Sequence, residues 1–285
     1  MLRLFLPRWL IIPVFIISLL YLGLIYAHSP HKDAEFVAYY PLLAWRDPLT
    51  GRQLNLPIDR NQSIDDQIDE VQQLEELDLS RGGISQLPPQ IGNLTRLRIL
   101  SLSSNQLRGL PPEIGQLTNL QILNLSNNLL SDLPSQIGHL TALQELYLHR
   151  NALKSLPPEI GNLTNLQRLS VYLNELSALP PEIGNLSTLR TLDLTGNKLN
   201  ELPPEIGNLA RLQILVVNDN ELSSLHPEIG NLTRLLSLHL RGNMLRGLPP
   251  ELRNIPFLQT LDVTGNQSIY LPPEIQRMPN LTIRQ

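Results

Sequence analysis

The chain has no cysteine among its 285 residues, which removes disulfide staples, thiolate metal sites and cysteine nucleophiles. The redox compartment stays open, because a thiol-free chain tolerates either environment. Aromatic residues make up only 5% of the sequence, so any surface that gathers them stands out. Neither charge sign is in large excess: 22 basic against 26 acidic side chains give a net charge of −4, without a general pull toward nucleic acid. Common catalytic signatures are missing as well. There is no HExxH, no GxSxG, no phosphate-cradling glycine-rich loop and no kinase set. The composition reads as a non-enzyme with no cofactor and no metal, and its 42% hydrophobic content is enough for a sizeable core.

Long hydrophobic runs are scarce too, with one exception. Residues 9–27, WLIIPVFIISLLYLGLIYA, carry no charge and as a helix would span about 28 Å, close to the thickness of a bilayer's hydrocarbon core. Pro13 is compatible with this, since membrane helices tolerate prolines near their ends. Arg3 and Arg8 precede the run, while Lys32 follows it together with Asp33 and Glu35. This bias places residues 1–8 in the cytoplasm and makes 9–27 a single-pass signal anchor with the rest of the chain on the extracytoplasmic side. The alternative is a secreted protein, released from a signal peptide whose cleavage site is formed by Ile25 and Ala27.

What the sequence has in abundance is repetition. From Leu74 the frame LxxLxLxxNxLxxLPxxIxxLxx restarts at Leu97, Leu120, Leu143, Leu166, Leu189, Leu212, Leu235 and Leu258, in steps of 23 residues covering 74–280. Counting each of these leucines as offset 0, apolar residues at offsets 0, 3 and 5 point one face of a short strand inward. Proline at offset 14, followed by Glu and Ile, suits the first turn of a short helical or 3₁₀ segment. Glycine at offset 18 is expected to let the chain turn back. The asparagine at offset 8 recurs as Asn105, Asn128, Asn151, Asn174, Asn197, Asn220, Asn243 and Asn266. Its amide both donates and accepts, which suits a structural ladder bonding the backbone of its own turn and of the neighbouring one. One such unit cannot bury its own apolar face, so the copies must stack.

The ends depart from the frame. Residues 51–73 read as an N-terminal cap, a worn copy with Leu54, Leu56, Ile64, Ile68 and Val71 in apolar slots. Residues 28–50 form a linker whose Phe36, Tyr39, Tyr40 and Trp45 pack on that cap or rest at a membrane surface. In the ninth copy Ser268 stands where leucine is expected and Ile269 follows it; 281–285 is a partial repeat, and fraying is expected there.

This frame resembles the leucine-rich-repeat family over nearly three quarters of the chain. Its LPxxI form is most similar to the 23-residue class of Ras-group scaffold proteins. The resemblance implies an α/β solenoid, a horseshoe with a parallel β-sheet on the concave face and short helical or 3₁₀ turns on the convex face. It also implies a protein-binding role without an added catalytic domain.

Specificity then belongs to the outward strand offsets 2, 4, 6 and 7. Only four aromatics lie in the repeats, Tyr147, Tyr172, Phe257 and Tyr270, and the first two fall on concave columns of adjacent copies. With His149, Arg150 and Arg168 they form a candidate anchor patch, which His239 and Arg241 extend. Asp193, Asp219 and Asp262 read as solvated acids rather than a metal site. His139 and His226 read as drift within the scaffold. The function expected is a membrane-anchored interaction module binding a protein or peptide on its concave face. Alternatives are recognition of envelope carbohydrate, a structural spacer or, with reversed topology, a cytoplasmic Ras-like signalling scaffold.

Overall fold

A computed structural model of the chain describes residues 46–47, 53–54, 56–57 and 70–285. Each repeat contributes a strand of three residues: β1 (Glu76–Asp78), β2 (Ile99–Ser101), β3 (Ile122–Asn124), β4 (Glu145–Tyr147), β5 (Arg168–Ser170), β6 (Thr191–Asp193), β7 (Ile214–Val216), β8 (Ser237–His239), β9 (Thr260–Asp262) and β10 (Thr282–Arg284). They form one parallel sheet in chain order. From β1 to β9 every residue pairs with the one 23 positions on, as Leu146 does with Leu169. The central leucine of each of these strands is buried, along with the leucine or valine two residues later. The strands' first and third side chains are left on the concave surface.

The ladder asparagines fix the turn that follows each strand. Asn174 donates from Nδ2 to the carbonyls of Val171 in its own repeat and Leu148 in the preceding one, both at 3.0 Å. Its Oδ1 accepts the Leu153 N–H at 3.1 Å. The same three bonds recur from Asn105 to Asn266. No buried side-chain polar atom lacks a partner among the described residues.

On the convex side, 3₁₀ turns such as Pro158–Asn162 begin at the proline and bury the isoleucine. The glycine at offset 18 has a role other than turning the chain. These glycines are not in the left-handed region; a β-carbon at Gly161 would lie 2.5 Å from the Glu182 carbonyl oxygen of the next turn. The same clash holds from Gly92 to Gly230, at 2.4–2.6 Å, so glycine is there for space between coils. Arg253 replaces it in the turn Pro250–Asn254. The turn after that, Pro273–Gln276, is α-helical rather than 3₁₀.

At the C-terminal end β10 pairs with β9 in the register Thr282↔Thr260. The final coil is therefore one residue shorter than the 23-residue frame, and Ile283 rather than a leucine faces Leu261. At the other end Leu54, Leu56 and Val71 are buried in the core. Asp47 is buried as well, accepting the Ser85 N–H at 2.5 Å and its hydroxyl at 2.7 Å, so part of the 28–50 stretch is built into the solenoid. The expected anchor 9–27, the aromatics between 36 and 45, and Ile64 and Ile68 lie outside the described residues. Among the described residues no helix is long and apolar enough to cross a membrane.

Gly161→Ala is expected to destabilise the solenoid by about 1–3 kcal/mol through overpacking. Gly109→Ala, where nothing lies within 4 Å of the added carbon, is the matched control. Urea denaturation of both variants checks this, and equal midpoints would mean that the coil spacing is not set at the convex glycines.

Candidate partner-binding surface

The concave columns converge at β4 and β5. In register, Glu145 stands beside Arg168 and Tyr147 beside Ser170, and the next outward residues are His149 and Tyr172. The imidazole of His149 stacks on the Tyr172 ring at 4.3 Å between centroids, with the planes 8° apart. Tyr147 meets the same imidazole edge-on at 6.3 Å. The Tyr147 hydroxyl donates to Glu145 Oε2. Burial and that bond raise its pKa above the ordinary tyrosine value, against the opposing Arg168 guanidinium. The phenol therefore stays protonated and fixed in direction at neutral pH.

Two aromatic rings and an imidazole thus form a continuous ledge across two repeats, half-buried and already oriented. Burial, and then the Arg150 guanidinium, hold His149 below the ordinary histidine range despite the nearby Asp193 carboxylate. The folded state favours the neutral ring relative to the unfolded chain. This contribution to stability is present above the ordinary histidine pKa and is lost as pH falls through the folded value.

Sequence reasoning missed Leu173, the neighbour of Tyr172. The residue at offset 7 has positive φ in every repeat, from Arg81 at 55° to Gly265 at 72°. Glycine takes this conformation freely, while other residues pay roughly 1–2 kcal/mol. Gly196, Gly242 and Gly265 fit that rule, and Asn127 and Asp219 are tolerated types. Leu173 fits neither group: its φ is 54° and it is 46% exposed. Its side chain lies over Gly196, where a β-carbon would come within 2.8 Å of Leu173 Cδ2. An apolar side chain kept exposed on left-handed backbone extends the ledge. The legible signal was a leucine in a column otherwise filled by Gly, Asn, Asp, Ser and Arg.

The remaining candidates are placed differently. Arg150, also left-handed at 56°, is exposed and flanks His149. His239 and Arg241 lie on and just after β8, three strands from β5, and Arg241 pairs with Asp219 at 3.2 Å. They belong to a separate part of the concave face. Asp193 and Asp262 are not simply solvated: each accepts both the hydroxyl and the N–H of the threonine two residues on, Thr195 and Thr264. Asn124 does the same with Ser126. Among the described residues there is no group of three metal-ligating side chains.

This geometry of repeated inward leucines, parallel three-residue strands and an asparagine ladder coincides with a known family pattern. A pattern described as "Leucine-rich repeat region" matches residues 89–177 and 173–240, more than half of the chain. The chain belongs to the leucine-rich-repeat family. No curated protein sequence matches it. Among solved structures, the chain is 35% identical over 74% of its length to the ectodomain of the Arabidopsis thaliana membrane receptor kinase GASSHO1/SCHENGEN3, solved with CASPARIAN STRIP INTEGRITY FACTOR 2, at TM-score 0.66. It is 30% identical over 76% of its length to the plant peptide hormone receptor RGFR1 in complex with RGF2, at TM-score 0.57. It spans 27% and 40% of those two chains. The Listeria monocytogenes internalin inlF shares the fold, at 24% identity over 74% of this chain and 61% of the other and TM-score 0.63.

Two outcomes are expected. Leu173→Gly leaves thermal stability unchanged or slightly raised, since it removes left-handed strain; a drop of more than about 1 kcal/mol would assign Leu173 to packing instead. Proton NMR of the imidazoles places the His149 midpoint below the ordinary histidine range, and a midpoint above it would contradict the burial described here.

Proposed function

We propose that this leucine-rich-repeat protein is an interaction module that binds a protein or peptide segment on its concave face, across β4 and β5. The observation that carries this reading is the ledge of Tyr147, His149, Tyr172 and Leu173. Large rings held in place before binding lose little conformational freedom on contact, which is what makes such side chains effective anchors. Arg150 and Arg168 at its border add directed donors. The plant proteins of similar fold, one a receptor-kinase ectodomain solved with CASPARIAN STRIP INTEGRITY FACTOR 2 and one a peptide hormone receptor, support a protein or peptide ligand.

Carbohydrate recognition is less well supported, because the side chains suited to it, Asn124, Asp193 and Asp262, are committed to bonds within the sheet. The reading is of a binder rather than an enzyme. The charge-free run 9–27 and its flanking arginines support a single-pass anchor that holds the solenoid on the extracytoplasmic side. A C-terminal reporter fusion, read for the side of the membrane on which it is active, tests that topology.

The binding reading is tested by capture of partners from solubilised membranes. Tyr147→Ala/Arg168→Ala/Tyr172→Ala is expected to abolish capture of a partner that wild type retains, with little change in melting temperature because none of the three side chains is in the leucine core. Capture undiminished in a folded triple variant would overturn the assignment of the ledge.

A further inference from the structure

The net charge of −4 conceals how the fold sorts its charges. Acidic residues of the convex turns, Glu113 and the run from Glu159 to Glu274 at 23-residue steps, occupy the first turns of the 3₁₀ and α segments. Basic residues gather on a different flank, where the chain enters each strand. There Arg190, Arg211 and Arg234 precede β6, β7 and β8, all exposed and none within 4.0 Å of a carboxylate among the described residues. Arg190 and Arg211 line one end of an open polar groove of about 440 Å³. The rest of its wall includes Gln121, Gln144 and Gln167 from three consecutive repeats. Among the described residues no hydrogen bond engages the side-chain amide of any of these three glutamines, whose backbone N–H groups bond within the sheet.

From these observations we infer that the entry flank of β3–β7 is a second docking surface, which takes an extended acidic peptide segment. The glutamine amides offer donors and acceptors to a peptide backbone, and the two arginines offer paired donors to its carboxylates. The scale fits a short segment. From Gln121 before β3 to Arg211 before β7 the groove spans four strand spacings, about 19 Å, which an extended chain covers in about six residues. A long polyanion finds no such match, because the positive charge gives way to neutral amides on one side and the acidic turns lie on the convex face. The inference does not depend on the aromatic ledge, which sits on the concave face and has different chemistry.

The test is fluorescence anisotropy with the full chain and a dye-labelled, end-blocked peptide of alternating glutamate and serine. A glutamine and serine peptide of the same length is the control. The acidic peptide is expected to bind, more weakly as salt is raised, while the control does not. Arg190→Gln/Arg211→Gln should weaken binding about tenfold. Glu205→Gln/Glu228→Gln on the convex face and Tyr147→Ala/Tyr172→Ala on the ledge should leave it unchanged. All of these side chains lie outside the leucine core, and matching melting curves confirm that the variants fold. Binding undiminished in Arg190→Gln/Arg211→Gln, or equal binding of the control peptide, would overturn the inference. So would tighter binding of oligothymidylate than of the acidic peptide, which would make the flank a general polyanion surface. Loss of peptide binding in the ledge variant would merge the two surfaces and overturn their independence.

Discussion

In a parallel sheet neighbouring strands sit about 4.8 Å apart, and this solenoid imposes a comparable distance on parts of the coil that form no sheet. On the concave side the strand ladder sets it. Just beyond the strands the asparagine ladder repeats it, because each amide must reach carbonyls in two successive coils. On the convex side backbone packs directly on backbone, and a single β-carbon at Gly161 would meet the next turn's carbonyl at 2.5 Å. Each position in the frame answers to that one spacing. This is why LPPEIGNLTNLQ recurs almost unchanged: every copy meets the same neighbour and solves the same packing problem.

A molecule so constrained has few places in which to be individual. The buried columns are taken by leucine, isoleucine and valine, and the turn columns by proline, glycine and asparagine. Even part of the outward face is committed, since Asp78, Asn124, Asp193 and Asp262 each hold the backbone and hydroxyl of the residue two positions later. The Asp78 carboxyl is lowered first by its bond from the Ser80 hydroxyl and then by the Ser80 N–H. Among the described residues that pairing is not formed at β2, β4, β5, β7 or β8, and at β4 and β5 rings occupy the columns instead, with Tyr147 bonded to Glu145 and Ser170 to His149.

The fold was legible because its signal is periodic and its cause is packing. Buried leucines at offsets 3 and 5 reveal the strand face, and asparagine at offset 8 reveals the turn. Two structural roles were not legible, for physical reasons. Glycine at offset 18 looks like a turn residue in one copy; its real function, leaving room for the next coil, involves an atom 21 residues away, as Glu182 is from Gly161. The one-residue shortening before β10 is similarly invisible, because Leu281 continues the 23-residue count while Ile283 takes the slot opposite Leu261. Of the candidate site, the contact of Tyr147 and Tyr172 with His149 follows from column arithmetic. The separation of His239 and Arg241 from that patch does not, since the columns alone do not show that Arg241 is engaged by Asp219.

Leu173 shows what column arithmetic lacks. A list of outward residues treats every offset as equivalent, but offset 7 differs in backbone conformation: a side chain there is held at a cost that glycine avoids. In a repeat protein that cost can be compared across copies. Gly196, in the next repeat, adopts the same conformation without a β-carbon, so the fold itself does not require leucine at 173. Exposure points the same way, because a half-exposed leucine adds little to the core it faces away from. When a residue is unfavourable both for its backbone and for its hydration, and the equivalent site next door shows the cheaper solution, scaffold stability does not account for it. Its place beside Tyr172 fits the proposed binding ledge, of which it is an apolar extension.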